Sequence, residues 1–107
     1  MSNPLVSRLG GVGITQFASL DLWEPQIGDF VIYNGLVKHW FGVVMGVGKG
    51  TVEVVKSVLP VDVFMMGPLK QKKHTKSFDL IDIRSSRGGK FAIIQAINGQ
   101  APIVFIR

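Results

Sequence analysis

Short apolar runs rich in Val, Ile and Phe alternate along this chain with Gly, Pro and Asn, and no long segment keeps the i, i+3, i+4, i+7 spacing of an amphipathic helix. The pattern predicts strands at Asp29–Tyr33, Leu36–Val47, Thr51–Leu59, Val61–Met66, Phe78–Ile83, Phe91–Ile97 and Pro102–Ile106. Turn residues separate them. Asn98-Gly99 lies between FAIIQAI and APIVFIR and predicts a terminal hairpin, because both residues tolerate positive φ. Asn34-Gly35 joins the first two runs by the same chemistry, Gly48-Lys49-Gly50 joins the next two, and Gly67-Pro68 closes the Val61–Met66 run. The expected class is mainly β: a small barrel or sandwich of five to six antiparallel strands, with at most a short helix.

The first 28 residues read differently. Met1 to Gly13 has no clear period and predicts a loosely ordered arm. Ile14, Phe17, Leu20 and Trp23 recur at threes behind Thr15, which predicts one or two helical turns ended by Pro25. Residues 1–25 are therefore expected to form an N-terminal arm with a short helix, and 26–107 the β domain. Within Leu36–Val47, alternation puts Val37, His39, Phe41, Val43, Met45 and Val47 on one face, expected to be core, and Lys38, Trp40, Gly42, Val44 and Gly46 on the other.

Composition bounds the rest. A chain of 107 residues with 47% hydrophobic and 18% charged residues has enough apolar surface to fold as one domain around a modest core. It has no cysteine, which excludes disulfides and thiolate metal sites. No run approaches a membrane span, and the start MSNPLVSRLGG has no signal-peptide pattern, so a soluble, unprocessed, cytoplasmic protein is expected.

The charge is lopsided. Residues 70–90 hold seven bases against two acids, a balance of +5, while residues 1–69 hold four bases against five acids. A local excess of this kind attracts phosphate-rich or acidic partners. Lys70, Lys72, Lys73 and Lys76 follow a Gly-Pro turn and are expected on an exposed loop, where lysines neutralise phosphates irrespective of base sequence. Arg84, Arg87 and Lys90, in Arg84-Ser85-Ser86-Arg87-Gly88-Gly89-Lys90, form a second basic loop whose glycines allow close approach to a phosphate. Trp40 beside Lys38 is a candidate to stack on an unpaired base.

Catalytic patterns are sparse. His39 and His74 lack metal-ligand spacing, Asp79 and Asp82 suit salt bridges to nearby lysines, and no nucleophile motif is present. Gly46-Val47-Gly48-Lys49-Gly50-Thr51 departs from a P-loop, with Val43 and Gly50 where Gly and Ser or Thr are required. No catalytic residue, metal site or cofactor is expected, and the chain is not expected to be an enzyme.

Ile27-Gly28-Asp29-Phe30-Val31-Ile32-Tyr33, followed after a turn by Trp40-Phe41-Gly42-Val43-Val44, resembles the opening hairpin of SH3-like barrels of the KOW, Tudor and PemK-like groups. The resemblance covers roughly residues 27–60. It implies a strongly bent barrel of five or six strands whose loops and one open face bind RNA, DNA or protein. The bulky His39, Trp40 and Phe41 depart from the KOW pattern, and the Arg-Pro pair of the PemK-like ribonucleases is absent.

The reading that follows is a small nucleic-acid-binding module, attaching to RNA or DNA with low sequence specificity through Lys70, Lys72, Lys73, Lys76, Arg84, Arg87 and Lys90, with Lys38 and Trp40 as auxiliary contacts. The alternative is a protein-interaction, regulatory or virion assembly component, with a protein partner or homo-oligomer. It rests on Val61-Asp62-Val63-Phe64-Met65-Met66 as a sticky run. A PemK-like ribonuclease is a second alternative. No membrane association is expected.

Overall fold

The computed structural model describes residues 16–57, 65–86, 90–96 and 101–107. These form a seven-stranded sheet: β1 (Gln16–Ser19), β2 (Phe30–Asn34), β3 (His39–Val47), β4 (Thr51–Ser57), β5 (Thr75–Asp79), β6 (Phe91–Gln95) and β7 (Ile103–Ile106). A 3-10 turn (Leu20–Leu22) follows β1, helix α1 (Pro68–His74) precedes β5, and helix α2 (Leu80–Ser85) follows it. The strand order is β1-β7-β6-β2-β3-β4-β5, antiparallel except for the parallel β1–β7 pair.

The mainly β expectation holds, but the five-to-six-stranded barrel does not. The sheet is open, with β1 and β5 at its two ends. Its core is covered by chain from outside the sheet instead. Leu20 and Trp23 from the N-terminal segment and Ile83 from α2 are fully buried with Val31, Val44, Val52, Val54 and Ile93, and Phe105 joins them. Two inserted covers of this kind bury the sheet's apolar face without its edges having to meet.

Three local expectations are corrected. The threefold spacing around Leu20 gives a strand and a 3-10 turn rather than a helix, because the free edge of β7 offers hydrogen-bonding partners: Gln16 N donates to Pro102 O at 3.1 Å. The Phe78–Ile83 run splits. Leu80 N donates to Gly50 O at 3.0 Å at the end of the β5 pairing, and the helix that follows turns Leu80 and Ile83 together onto the core while Ile81 stays exposed. The lysine run is helical, not a loop. Gly67 caps it, Pro68 starts it with a preset φ, and Leu, Lys and Gln are good helix formers.

Both hairpins form, but only the turn after Gly48 uses the expected positive φ; neither Asn34 nor Gly35 does, and their turn closes over Leu36 and Val37. Gly35 N donates to Lys38 O at 2.9 Å, and Gly48 N to Thr51 O at 2.9 Å with Gly50 at φ +77°. β6 and β7 pair antiparallel as a terminal hairpin requires, with Ile93 opposite Phe105. The Asn98-Gly99 turn, the residues before 16, Val61–Phe64 and Arg87 lie outside the described residues.

The main core takes the face of β3 that was not expected to be buried, although Val43 on the other face is buried as expected. Trp40 and Val44 belong to the main core, whereas His39, Met45 and Val47 are exposed. Val43 is buried on the back, in a small cluster with Val55, Phe30 and Met66. Gly42 is what lets this face pack closely. A Cβ on Gly42 would stand 2.3 Å from Val54 Cγ1 and 3.2 Å from Trp40 Cζ3. The register shift between Val44 and Gly46 is a bulge that leaves Met45 without a partner on β4.

Gly42→Ala is therefore expected to cost about 1–3 kcal/mol by overpacking, measured by denaturant unfolding. Adding Val54→Ala should recover part of that loss. A neutral Gly42→Ala would contradict this packing.

Candidate nucleic-acid interface

β-sheet alternation brings four rings onto the core-side face. Tyr33 of β2 pairs with Trp40 of β3 and with Phe91 of β6, and Phe78 follows from β5. Tyr33 and Trp40 stack with centroids 5.3 Å apart, and Trp40 and Phe78 at 5.6 Å. Phe91 meets all three edge to face at 5.0–6.2 Å. α2 and the 3-10 turn cover one part of this face, through Ile83, Leu20 and Trp23. A cleft of about 840 Å³ is lined by Trp40, Lys38 and Lys56 together with Met66, Lys70 and His74.

Lysines cap the rings. Lys56 Nζ lies 4.8 Å from the Trp40 ring centroid, and Lys76 Nζ 5.3 Å from that of Phe78. Such cation–π contacts are individually weak at exposed sites, about 0.5–1 kcal/mol. Lys56 stands opposite Gly42 and Lys76 opposite Val54, so both project from the aromatic face. Partial burial lowers the Lys56 pKa from its ordinary 10.5, and the charges of Lys76 and Lys38 lower it further. Three ammonium groups thus share one neighbourhood. None of Lys38, Lys56, Lys70 and Lys76 has an acidic partner among the described residues.

The sequence-derived basic residues do not share one surface. Lys70 and His74, one turn apart on α1, line the cleft with Lys38, and Lys76 stands over Phe78. Lys72 lines a separate groove on the back, with Met45, Glu53, Val55 and Ser77, and Lys73 is exposed. Arg84 is committed to structure. Its Nε and Nη2 donate to Trp23 O at 2.9 and 2.6 Å, and Nη2 lies 3.3 Å from Glu24 Oε1. Lys90 lines a small pocket with Asp82, Ser85, Tyr33 and Phe91. Trp40 is half-buried, stacked on Tyr33 and Phe78 and packed against the main core.

Sequence reasoning missed Lys56, Phe78 and Tyr33. The signal was present in β4, where Val52, Val54 and Lys56 occupy alternate positions and a lysine ends an apolar face. What the sequence alone lacked was the pairing register that puts that lysine across from Gly42 and diagonal to Trp40.

Among the described residues no group of three His, Asp or Glu is placed to hold a metal ion, and no helix is long and apolar enough to cross a membrane. The chain matches no protein-family model, no curated protein sequence and no solved structure.

Proposed function

We propose that this protein is a nucleic-acid-binding module that attaches through the aromatic end of its sheet, with Lys38, Lys56, Lys70 and Lys76 as the phosphate contacts. The observation that carries the proposal is Lys56 lying over Trp40 while Lys38 and Lys76 crowd it, with no counter-charge among the described residues. Such a cluster adds little to folding and much to phosphate attraction. The proposed surface differs from a simple 70–90 patch: it keeps Lys70 and Lys76, adds Lys56, and leaves Arg84 out.

Attachment of this kind depends on counterion release. Four lysine–phosphate contacts correspond to a slope of about −3 in log K against log salt for a single strand. The test is fluorescence anisotropy with a labelled oligonucleotide between low and moderate salt. A slope near that value supports the proposal, and no binding at low salt defeats it. The pH dependence has a definite sign. A bound phosphate raises the lowered Lys56 pKa, so binding takes up protons, and affinity falls as pH rises toward 10.5.

A second reading, capture of a protein partner, draws on Leu36 and Val37, 96% and 89% exposed at the β2–β3 turn, and on Met65 and Leu69, each 81% exposed. Salt-insensitive association would favour that reading instead.

A further inference from the structure

We propose that Trp40 and the cleft beside it form a stacking site for one unpaired base, which makes the ligand single-stranded and makes Lys56 a displaceable cover on the indole. This rests on the nucleic-acid reading above and specifies which form of nucleic acid the same site takes.

The cleft has the chemistry of a nucleotide rather than of a duplex backbone. Its walls combine an indole and Met66 with Lys38, Lys56 and Lys70, and no carboxylate of the described residues lines it. Its volume, about 840 Å³, lies within the range of small-ligand sites, roughly 300–1,000 Å³, and is ample for a base with its sugar and phosphate. A duplex keeps its bases stacked on one another and offers a recess of this kind only its phosphates.

Trp40 is held ready for such a partner. Tyr33 and Phe78 flank it in near-parallel planes, 14° and 23° from its own, and Phe91 supports it edge-on. Gly42 leaves the room in which the ring lies. A ring fixed on three sides loses little rotamer freedom when a base arrives. Trp40 keeps part of its surface accessible, whereas Trp23 is fully buried.

Lys56 occupies the indole in the free protein. Partial burial and the neighbouring Lys76 and Lys38 charges already disfavour its ammonium there. A strand entering the cleft presents the ammonium with a phosphate, a stronger partner than a ring face, and the part of the indole that Lys56 covered, outside its offset contacts with Tyr33 and Phe78, is then open to the base. Phosphate binding and base stacking are thus coupled through one side chain.

The chain contains two tryptophans, Trp23 and Trp40, so intrinsic fluorescence reports on the site with Trp23 as the buried background. The experiment titrates the protein at low salt with three probes of one length: a mixed-sequence single strand, prepared as RNA and as DNA, the same sequence as a duplex, and a single strand whose central nucleotides are abasic. The single strand is expected to quench the fluorescence and to bind about tenfold tighter than the abasic strand or the duplex, the gain typical of one stacked base. Trp40→Phe should retain the fold, lose the quench and lose most of the preference for bases.

Equal affinity for single strand, abasic strand and duplex, with unchanged fluorescence at saturation, overturns the stacking site while leaving phosphate attachment in place. Absence of binding to all probes overturns both. If Trp40→Phe unfolds, the abasic comparison on the unaltered protein still decides.

Discussion

Replacing Asp29 with alanine is expected to cost about 3–5 kcal/mol of folding stability, a large share of the roughly 5–15 kcal/mol that holds a typical small domain together. Asp29 is 3% exposed, and its Oδ2 accepts hydrogen bonds from Trp23 Nε1 at 3.0 Å, Gln26 N at 2.8 Å and Gln95 Nε2 at 3.0 Å. Alanine leaves those donors without their acceptor, and buried donors without partners are expensive. An asparagine side chain would still offer one oxygen, so Asp29→Asn should lose only about 1–2 kcal/mol, the difference between a charge-assisted and a neutral acceptor. Urea unfolding followed by circular dichroism measures both. A loss below about 1 kcal/mol for alanine would mean that the segment is held by packing alone.

The consequence reaches the interface. Trp23 is bound from two sides: its indole donates to Asp29, and its carbonyl accepts from Arg84 of α2. Gln95 adds a bond to Glu24 O at 3.0 Å. This network joins the N-terminal segment, β2, β6 and α2, and it fixes which part of the aromatic face is covered. The uncovered part is where Trp40 and the lysines lie.

How much of this was legible in the sequence differs by element. Strands β2, β3, β4, β6 and β7 appear as apolar runs between turn residues, because their signal is local: alternation, β-branched side chains and Asn-Gly or Gly-Lys-Gly turns. β1 and α2 were misread because their conformations are set by distant partners. β1 follows the free edge of β7, and α2 bends so that Leu80 and Ile83 reach the core. A strand beginning near Asp29 was legible, and the preceding Gly28 adopts φ +99°. The role of Asp29 as acceptor for Trp23 and Gln95 was not, since those residues lie 6 and 66 positions away.

The candidate site was legible in its types more than in its members. Lysines and Trp40 are the residue types the sequence singled out, and several of them meet at the cleft, while charge concentration drew attention to residues 70–90. Charge counting, however, is blind to face. It grouped Lys72, Lys73 and Arg84 with Lys70 and Lys76, although one arginine is spent on a carbonyl and one lysine faces a back groove. It also passed over Lys56, a single cation in an apolar strand.

The second large effect separates those two groupings and tests the binding surface directly. In Lys38→Gln/Lys56→Gln/Lys76→Gln the fold should persist, because three mutually repelling charges are removed from one neighbourhood. Each lost phosphate contact removes about 0.7 from the salt slope for a single strand, so the slope should fall by about 2 and the affinity at low salt by roughly a hundredfold or more. Lys72→Gln/Lys73→Gln should change the slope by well under 1. Arg84→Gln should leave it unchanged while lowering the unfolding midpoint, since Arg84 bonds Trp23 O.

The decisive measurement is the salt dependence of single-strand binding for the triple variant beside the Lys72→Gln/Lys73→Gln variant. The slope should collapse in the first and persist in the second. An intact slope in the triple variant, or an equal loss in both, would show that the lysines around Trp40 are not the surface that holds nucleic acid.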